Sequence, residues 1–238
     1  MVNNWPIKIL DALYPPVCLL CDAPGEKGRD LCAGCFADLP HNRHACPHCA
    51  LPLPAAAPSG TLCGGCTRRR LPFERSLIPF LYQDPLNHLV GGFKFHKRLA
   101  NGQLLADLLG DHLEQHIDNW PQAIVPVPLH PRRLRERGYN QALELARPLG
   151  RRFDIRVVSR AVTRTHFTLP QVGLVGKERR RNVRGVFALR HTLDAAHVAI
   201  LDDVVTTGST VGELARVLRK GGVARVEVWA LAKAGQNR

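Results

Sequence analysis

The chain has 238 residues, a formal net charge of +13 and a sequence pI of about 9.9. Its length accommodates one ordinary α/β domain and a smaller module, and its charge favours a polyanionic partner. No apolar run approaches the ~18 residues of a membrane-spanning helix, so we exclude a membrane-embedded protein and expect no membrane partner.

The N-terminal segment has apolar residues from Trp5 to Leu13 that predict a short helix packed on the rest of the protein. Asp11 interrupts this apolar pattern. Neither a basic leader region nor an obvious cleavage site accompanies the segment, which is not typical of a secretion signal. We therefore expect a cytoplasmic protein.

Cysteine spacing gives the clearest signal in the first part of the chain. Close pairs suit tetrahedral thiolate coordination, whereas disulfides would be the alternative in a secreted protein. Eight thiolates complete two tetrahedra, so we predict two structural Zn²⁺ sites without an open catalytic position. The ligands come from four C-x2-C pairs: Cys18 and Cys21, Cys32 and Cys35, Cys46 and Cys49, Cys63 and Cys66.

Two pairings of these motifs are compatible with the sequence. A sequential arrangement joins the first pair with the second and the third with the fourth, and a cross-braced arrangement joins the first with the third and the second with the fourth. We favour the sequential form, because connections of ten and thirteen residues suit compact zinc knuckles. We assign residues 1–70 to an N-terminal helix and double zinc-ribbon module, and residues 71–238 to a second domain.

The second domain shows alternating strand and helix signals, which are typical of a parallel α/β sheet. Ser76 to Tyr82 predicts a strand, and Asp84 is expected to cap the helix that follows it. A strand from Ala123 to Pro128 then leads into a loop rich in arginine. The further predicted elements are helices near 104–113 and 140–149, strands at 157–162 and 223–231, and a mobile basic loop at 169–184.

The stretch HVAILDDVVTTGST, from His197 to Thr210, predicts a phosphate-binding site. Its apolar residues form a strand buried on both faces, and Asp202 and Asp203 follow at the carboxyl end, where open α/β sheets bind ligands. A hydroxyl-rich loop then precedes a helix that stops at Gly221. Unpaired N–H groups and the helix dipole favour an anion at such a helix N-terminus.

This combination resembles the signature of the type I phosphoribosyltransferases. The resemblance implies that Asp202 and Asp203 hold the ribose hydroxyls of phosphoribosyl pyrophosphate. It also implies that the following loop holds the 5-phosphate, through Thr206, Thr207, Gly208, Ser209 and Thr210.

Three blocks narrow the resemblance to the ComF family of competence-associated proteins. They are PVPLHPRRLRERGYNQA, LPQVGLVGKERRRNVRGVF and AILDDVVTTGST, in this order behind the cysteine module. The resemblance implies a double zinc ribbon joined to a type I phosphoribosyltransferase-like parallel sheet flanked by helices, in a cytoplasmic protein linked to natural competence and DNA uptake.

The ComF resemblance also assigns ligand-binding loops. The pyrophosphate loop maps to Pro128, Leu129, His130, Arg132 and Arg133. The flexible catalytic loop maps to residues 171–182. Phosphoribosyl pyrophosphate would bind together with Mg²⁺, and the catalytic candidates are Asp202, Asp203, Lys177 and Arg179.

Two functions of different classes follow. The first is a phosphoribosyltransferase whose acceptor is unknown, in which arginines stabilise the leaving group electrostatically. The second is a non-catalytic adaptor that binds single-stranded DNA and a competence helicase. The adaptor is favoured by charge, because +12 of the net +13 lies between Pro121 and Arg190. The candidate nucleic-acid contacts are Arg135, Arg137, Arg180, Arg181 and Arg184.

Overall fold

The computed structural model describes residues 15–26, 28–165 and 185–235. The expected N-terminal helix and the expected basic loop at 169–184 both lie outside these residues. The described helices and strands, numbered in chain order, are α1 (Ala33–Ala37), α2 (Gly64–Arg68), β1 (Ser76–Leu77), β2 (Phe80–Leu81), α3 (Leu86–Phe95), α4 (Leu99–His116), β3 (Ala123–Pro126), α5 (Pro131–Arg137), α6 (Gln141–Arg152), β4 (Arg156–Val157), β5 (Val162–Arg164), β6 (Phe187–Leu189), β7 (His197–Val205), α7 (Ser209–Lys220) and β8 (Arg225–Lys233).

A parallel sheet forms the centre of the fold after the cysteine-rich region. Its order is β1, β8, β7, β3 and β4, and β2 also pairs with β8. The chain moves outward from β3 to β4 on one side and from β7 to β8 on the other. Strand order therefore reverses between β3 and β7, which is where doubly wound sheets bind ligands at their carboxyl ends. Strands β5 and β6 form a separate antiparallel pair.

Side chains along β7 point alternately to the two faces of the sheet, and the core is divided into two layers accordingly. Ala199 and Leu201 face one layer, which contains apolar residues of α3, α4 and α6. Val198 and Ile200 face the other, which contains those of α7. Because both faces are covered, the strand is a continuous apolar run. The expected fold class, a parallel sheet flanked by helices behind a cysteine-rich ribbon module, is confirmed.

Several predicted boundaries differ from the structure. The strand expected from Ser76 to Tyr82 is divided at Pro79, which has no N–H to donate to the sheet. The strand expected from Val157 to Val162 is also divided, because exposed Ser159 and Arg160 carry the chain away from the sheet edge before β5. By contrast, β7 continues past Leu201 through both acids, since β8 pairs with it as far as Val205.

The prediction that Asp84 caps α3 is wrong. Pro85 occupies the N-cap position, so Asp84 lies one residue too early, and no side chain caps this helix. The Asp84 carboxylate instead lies 3.3 Å from the His88 ring nitrogen. Within the described part of the chain, no helix is both long enough and apolar enough to cross a membrane.

The zinc-ribbon region contacts the outer edge of the sheet through its backbone. Asn42 N–H donates to the Pro79 carbonyl at 2.7 Å, and Leu81 N–H donates to the Pro40 carbonyl at 2.7 Å. Ser76 N–H donates to a third carbonyl in the same ribbon segment, that of Pro47, at 3.1 Å. Residues 40–48, which we call the edge cover, therefore lie against β1 and β2.

Candidate phosphate site and zinc clusters

The eight cysteines form two clusters in which every Sγ atom lies within 4.8 Å of the others. One contains Cys18, Cys21, Cys32 and Cys35, and the other contains Cys46, Cys49, Cys63 and Cys66. These clusters match the sequential pairing. Four thiolates at such separations fit tetrahedral Zn²⁺ and leave no fifth position for a substrate.

Backbone groups favour the thiolate form in each cluster. Burial raises the pKa of the Cys18 thiol, but the N–H groups of Cys32 and neighbouring residues outweigh this and lower it to about 6. Burial also raises the pKa of the Cys46 thiol, but backbone N–H groups including that of Cys63 outweigh this effect and lower the pKa to about 7. Thiolates at neutral pH are the species that bind Zn²⁺.

Histidines near the clusters are engaged elsewhere. The Nε2 atom of His41 lies 3.1 Å from the Phe36 carbonyl oxygen, and that of His48 lies 2.6 Å from the Phe73 carbonyl oxygen. Within the described residues, the groups that could hold a metal ion consist of cysteines alone.

The two acids lie in the carboxyl half of β7. Asp203 Oδ2 lies 2.9 Å from the Lys94 ammonium, and the two side chains are 13% and 15% exposed. Lys94 comes from the last turn of α3, and its ammonium lies 5.9 Å from the centre of the Tyr82 ring. Because α3 packs on the sheet, the ammonium group of Lys94 lies next to the acids.

Asp202 is half-buried beside this ion pair. Burial, reinforced by the negative charge of Asp203, raises the pKa of Asp202 to about 7, and Lys94 and Arg164 only partly oppose the shift. The Asp203 N–H donates to Asp202 Oδ1 at 2.9 Å, which fixes the carboxyl group. Asp202 therefore changes protonation near neutral pH, and a bound cation would favour its charged form.

The loop after β7 has the geometry of an anion cradle. Gly208 adopts a left-handed conformation with φ of 73° and occupies the N-cap position of α7 without a side chain to cap it. The hydroxyl oxygens of Thr207 and Ser209 lie 2.7 Å apart. Hydroxyl groups and N–H groups therefore meet at the start of this helix, which favours a phosphate.

Lys233 supports the cradle from the neighbouring strand. It lies opposite Val205 in the register of β7 and β8, and its side chain is buried, with 3% exposure. Its ammonium donates to the Thr206 carbonyl oxygen. This cation thus holds the first residue of the cradle in place.

The expected pyrophosphate loop is only partly a loop. Residues 128–130 belong to no helix or strand. His130 is extended and caps α5 by accepting from the Arg132 N–H at 3.2 Å. Pro131 begins the helix because its missing N–H costs nothing in the first turn. Arg132 is exposed, and its Nε lies 3.1 Å from Glu136 Oε1. The Arg133 side chain is half-buried.

Arg135 and Arg137 were predicted in a loop but lie on α5. This helix ends at Gly138, whose φ of 85° suits a left-handed C-cap. Arg135 is exposed. Arg137 donates to Gln141 Oε1 at 3.0 Å, and its guanidinium lies 5.6 Å from the centre of the exposed Phe95 ring.

Comparisons with known proteins agree with this architecture. Residues 9–69 match the model of the double zinc ribbon domain. The chain is 37% identical over 224 residues to DNA utilization protein YhgH of Escherichia coli K12, covering 92% of this chain and 97% of that protein. It is also 37% identical over 211 residues to competence protein F of Haemophilus influenzae, covering 86% and 90%.

The chain belongs to the ComF family. A more distant ComF relative, competence protein ComFC of Bacillus subtilis, is 24% identical over 253 residues, with 93% and 96% covered. Among solved structures, a purine phosphoribosyltransferase from Pyrococcus horikoshii is similar to 55% of this chain and 71% of its own, with 20% identity and a TM-score of 0.35.

The structure brings together only some of the residues that the ComF resemblance assigned. The acids lie within β7, the cradle follows β7 and the loop at 128–130 follows β3. These two strands are neighbours in the sheet. Five candidates lie outside the described residues: Lys177, Arg179, Arg180, Arg181 and Arg184.

The sequence did not predict three cations near the acids and the cradle. Two of them are Lys94, which pairs with Asp203, and Lys233, which donates to the Thr206 carbonyl oxygen. The third is Arg164, which is 8% exposed. Burial and the positive charge of Arg133 lower the pKa of Arg164, and the negative charge of Asp202 opposes this shift. A signal existed for Lys233, because it ends a strand of nearly continuous apolar residues at the edge where ligands bind.

Proposed function

We propose that this protein binds phosphoribosyl pyrophosphate together with Mg²⁺ at the carboxyl edge of β3, β7 and β8. One observation carries the proposal. Two adjacent carboxylates lie on β7, and the same strand leads directly into a hydroxyl-lined helix N-terminus. A ribose phosphate presents hydroxyl groups and a dianion a few ångströms apart, and these two features are complementary to them.

Each part of the ligand has a candidate partner. Asp202 and Asp203 accept hydrogen bonds from the ribose hydroxyls, while Lys94 keeps the Asp203 charge compensated. The residues from Thr206 to Thr210 bind the 5-phosphate, and Lys233 holds Thr206 in position. The pyrophosphate lies against residues 128–133, where Arg133 contributes positive charge.

The residues present also fit a magnesium ion. Carboxylate oxygens are hard ligands of the kind that Mg²⁺ selects, and the ion ordinarily binds through one or two of them together with substrate phosphates. When bound, Mg²⁺ would neutralise charge on the pyrophosphate. Asp202 and Asp203 would hold it, directly or through water.

We further propose transfer of the phosphoribosyl group to an acceptor. Lys177 and Arg179 would offset the charge that develops on the departing pyrophosphate, since electrostatic stabilisation is the chemistry that cationic side chains supply. The acceptor attacks C1 of the ribose, and the bond from C1 to the pyrophosphate oxygen breaks.

Isothermal titration calorimetry with phosphoribosyl pyrophosphate and Mg²⁺ tests the binding step. The wild-type protein is expected to bind, and Asp202→Asn combined with Asp203→Asn is expected to weaken binding strongly, because each lost hydrogen bond to a charged group costs about 1.5–3 kcal/mol. Asp194→Asn, which removes an exposed acid elsewhere, is the matched control. If the double variant bound with the same affinity as the wild type, these acids would not be the residues that recognise the ribose.

A second candidate function is favoured by the charge distribution. Of the net charge of +13, +12 lies between Pro121 and Arg190, and the relatives at 37% identity are called a DNA utilization protein and a competence protein. We propose that this cytoplasmic protein serves natural competence and DNA uptake by binding single-stranded DNA. Arg135, Arg137, Arg180, Arg181 and Arg184 would contact phosphates, and a competence helicase would be the protein partner.

Anisotropy titrations of a labelled oligonucleotide at several salt concentrations test this candidate. If about four phosphates are neutralised, the slope of log K against log salt is expected to be roughly −3. Replacing Arg179, Arg180 and Arg181 together by Ala should lower the affinity and flatten the slope. Asp202→Asn should leave the affinity unchanged or slightly higher. A signal that is independent of salt would contradict electrostatic binding.

A further inference from the structure

A second cavity lies beside the proposed ligand site, between α5, α6 and the β5–β6 pair. Its volume is about 550 Å³, and it shares Pro128, Leu129 and Pro131 with the proposed pyrophosphate segment at 128–133. None of residues 202–210 is among the described residues that line it. The cavity is therefore separate from the acids and the phosphate cradle.

The lining of this cavity is strongly positive. It includes Arg147, Arg160, Arg164 and Arg190, whereas Glu144 is the one acid among the described lining residues. Glu144 is already paired, because its Oε1 lies 2.5 Å from Arg147 Nη1. The described lining therefore carries a net positive charge on a concave surface, which attracts an anion.

Two of these arginines are held next to each other by the backbone. The Arg190 N–H donates to the carbonyl of Ala161, the neighbour of Arg160, at 2.8 Å. Both arginine side chains are exposed, and among the described residues neither forms an ion pair with a carboxylate. Their guanidinium groups are thus available to an anion from solvent. A planar guanidinium matches phosphate oxygens with two parallel hydrogen bonds.

The opposite wall is apolar. Leu134 is 42% exposed at this surface, and Leu129 and Leu143 also line the cavity. Side chains of this kind contact the apolar face of a ring or a sugar. Hydroxyl groups of Ser159 and Thr163 lie in the same lining and can accept or donate hydrogen bonds.

Size and chemistry together select the ligand class. The cavity is within the range of 300–1,000 Å³ that is typical of small-molecule sites, and it is far larger than inorganic phosphate needs. The two exposed arginines, Arg160 and Arg190, favour a phosphate dianion over a single carboxylate. The leucine wall requires an apolar part in the same ligand. A nucleotide supplies both parts.

We propose that this cavity binds a nucleotide, with Arg160 and Arg190 holding its phosphate and the leucine wall contacting its base and sugar. The nucleotide is either a free mononucleotide or one residue of a single strand. Arg164 lies between this cavity and the ribose site, with its guanidinium 5.7 Å from the centre of the Phe187 ring. The inference does not depend on phosphoribosyl pyrophosphate binding.

Calorimetry with thymidine 5′-monophosphate tests the proposal on the full chain. The wild-type protein is expected to bind it, and thymidine without the phosphate is expected to bind at least about tenfold more weakly. Arg160→Ala combined with Arg190→Ala should reduce the affinity for the monophosphate by about tenfold or more. The corresponding Lys variants should retain part of the affinity, because they preserve charge but not the planar geometry.

Arg151→Ala is the matched control, since Arg151 is an exposed arginine on α6 that does not line the cavity. It should change the affinity by less than about twofold. Equal losses in the control and in the double variant would overturn the proposal, because the cavity would then have no specific role. Equal binding of thymidine and its monophosphate would overturn it as well.

Competition separates the two sources of the nucleotide. If thymidine 5′-monophosphate displaces a labelled oligothymidylate, and the double variant weakens both, the ligand is a residue of a single strand. If the monophosphate binds without displacing the strand, the ligand is a free mononucleotide. The double variant should bind phosphoribosyl pyrophosphate and Mg²⁺ as the wild type does, so a failure of that proposal remains distinguishable from a failure of this one.

Discussion

The Lys94 ammonium lies 2.9 Å from Asp203 Oδ2, and this pair connects the end of α3 to the carboxyl half of β7. Both side chains are largely withdrawn from water, so each compensates the other's charge where hydration is weak. Two acids next to each other would otherwise repel at this point of the strand. The helix therefore contributes to the ligand site through charge as well as through packing.

Lys94→Met retains the aliphatic stem but removes the charge that compensates Asp203. We expect the free energy of unfolding to fall by about 1–3 kcal/mol, because a partly buried carboxylate loses its charged hydrogen-bond partner. Chemical denaturation measures this loss. Lys220→Met, at an exposed position of α7, should change stability by no more than about 0.5 kcal/mol. Adding Asp203→Asn to Lys94→Met should recover part of the lost stability. If the effects of the two substitutions on the free energy of unfolding simply added, the two side chains would not interact directly.

Asp202 should make stability depend on pH. Its pKa is raised from 3.8 to about 7 in the folded protein, so the folded state holds this proton more tightly than the unfolded chain. The stability that this group contributes is complete below about pH 4 and declines as pH rises toward 7. Asp202→Asn should therefore raise the Tm relative to wild type by an amount that grows from pH 4 to 7 and is constant above. A difference that does not vary with pH would contradict the raised pKa.

Double cysteine variants can distinguish the two pairings of the zinc motifs by metal analysis. In the observed arrangement Cys18 and Cys32 belong to one cluster, so Cys18→Ser with Cys32→Ser should retain one zinc per chain. Cys18→Ser with Cys46→Ser should lose both, because it damages both clusters. A cross-braced protein would give the opposite result. The wild-type chain should contain two zinc ions.

Asn140 makes two separable contributions to stability. Its Oδ1 accepts from the Ala142 N–H at 3.0 Å and caps α6, while its Nδ2 donates to the Val127 carbonyl at 3.1 Å. Asn140→Ala should cost about 1–3 kcal/mol in thermal or chemical unfolding. Asn140→Asp keeps the cap but lacks the donor, so it should cost less than Ala. Equal losses would show that only the bond to Val127 matters.

Local signals in the sequence were sufficient to predict a buried strand that carries two acids and leads into the start of a helix. The apolar run of β7, its two acids and the glycine of the cradle are consecutive, so their relationship does not depend on tertiary packing. The cysteine clusters were predictable for the same reason. Lys94 could not be placed, because its approach to Asp203 depends on which face of α3 packs on the sheet. The helix from Pro131 to Arg137 was missed because its arginines were interpreted as loop residues, although proline and glycine at its ends are ordinary helix boundaries.

The edge cover connects zinc binding to the protein's resistance to aggregation. An uncovered edge strand offers unpaired N–H and C=O groups to the same strand of another molecule. Residues 40–48 occupy that position beside β1 and β2. They follow Cys35, the last cysteine of the first cluster, and include Cys46 of the second. Without zinc, the edge cover would detach and leave the edge strand free to pair with another molecule. Zinc starvation would then lower the amount of this protein through aggregation, even where the ligand site remains intact.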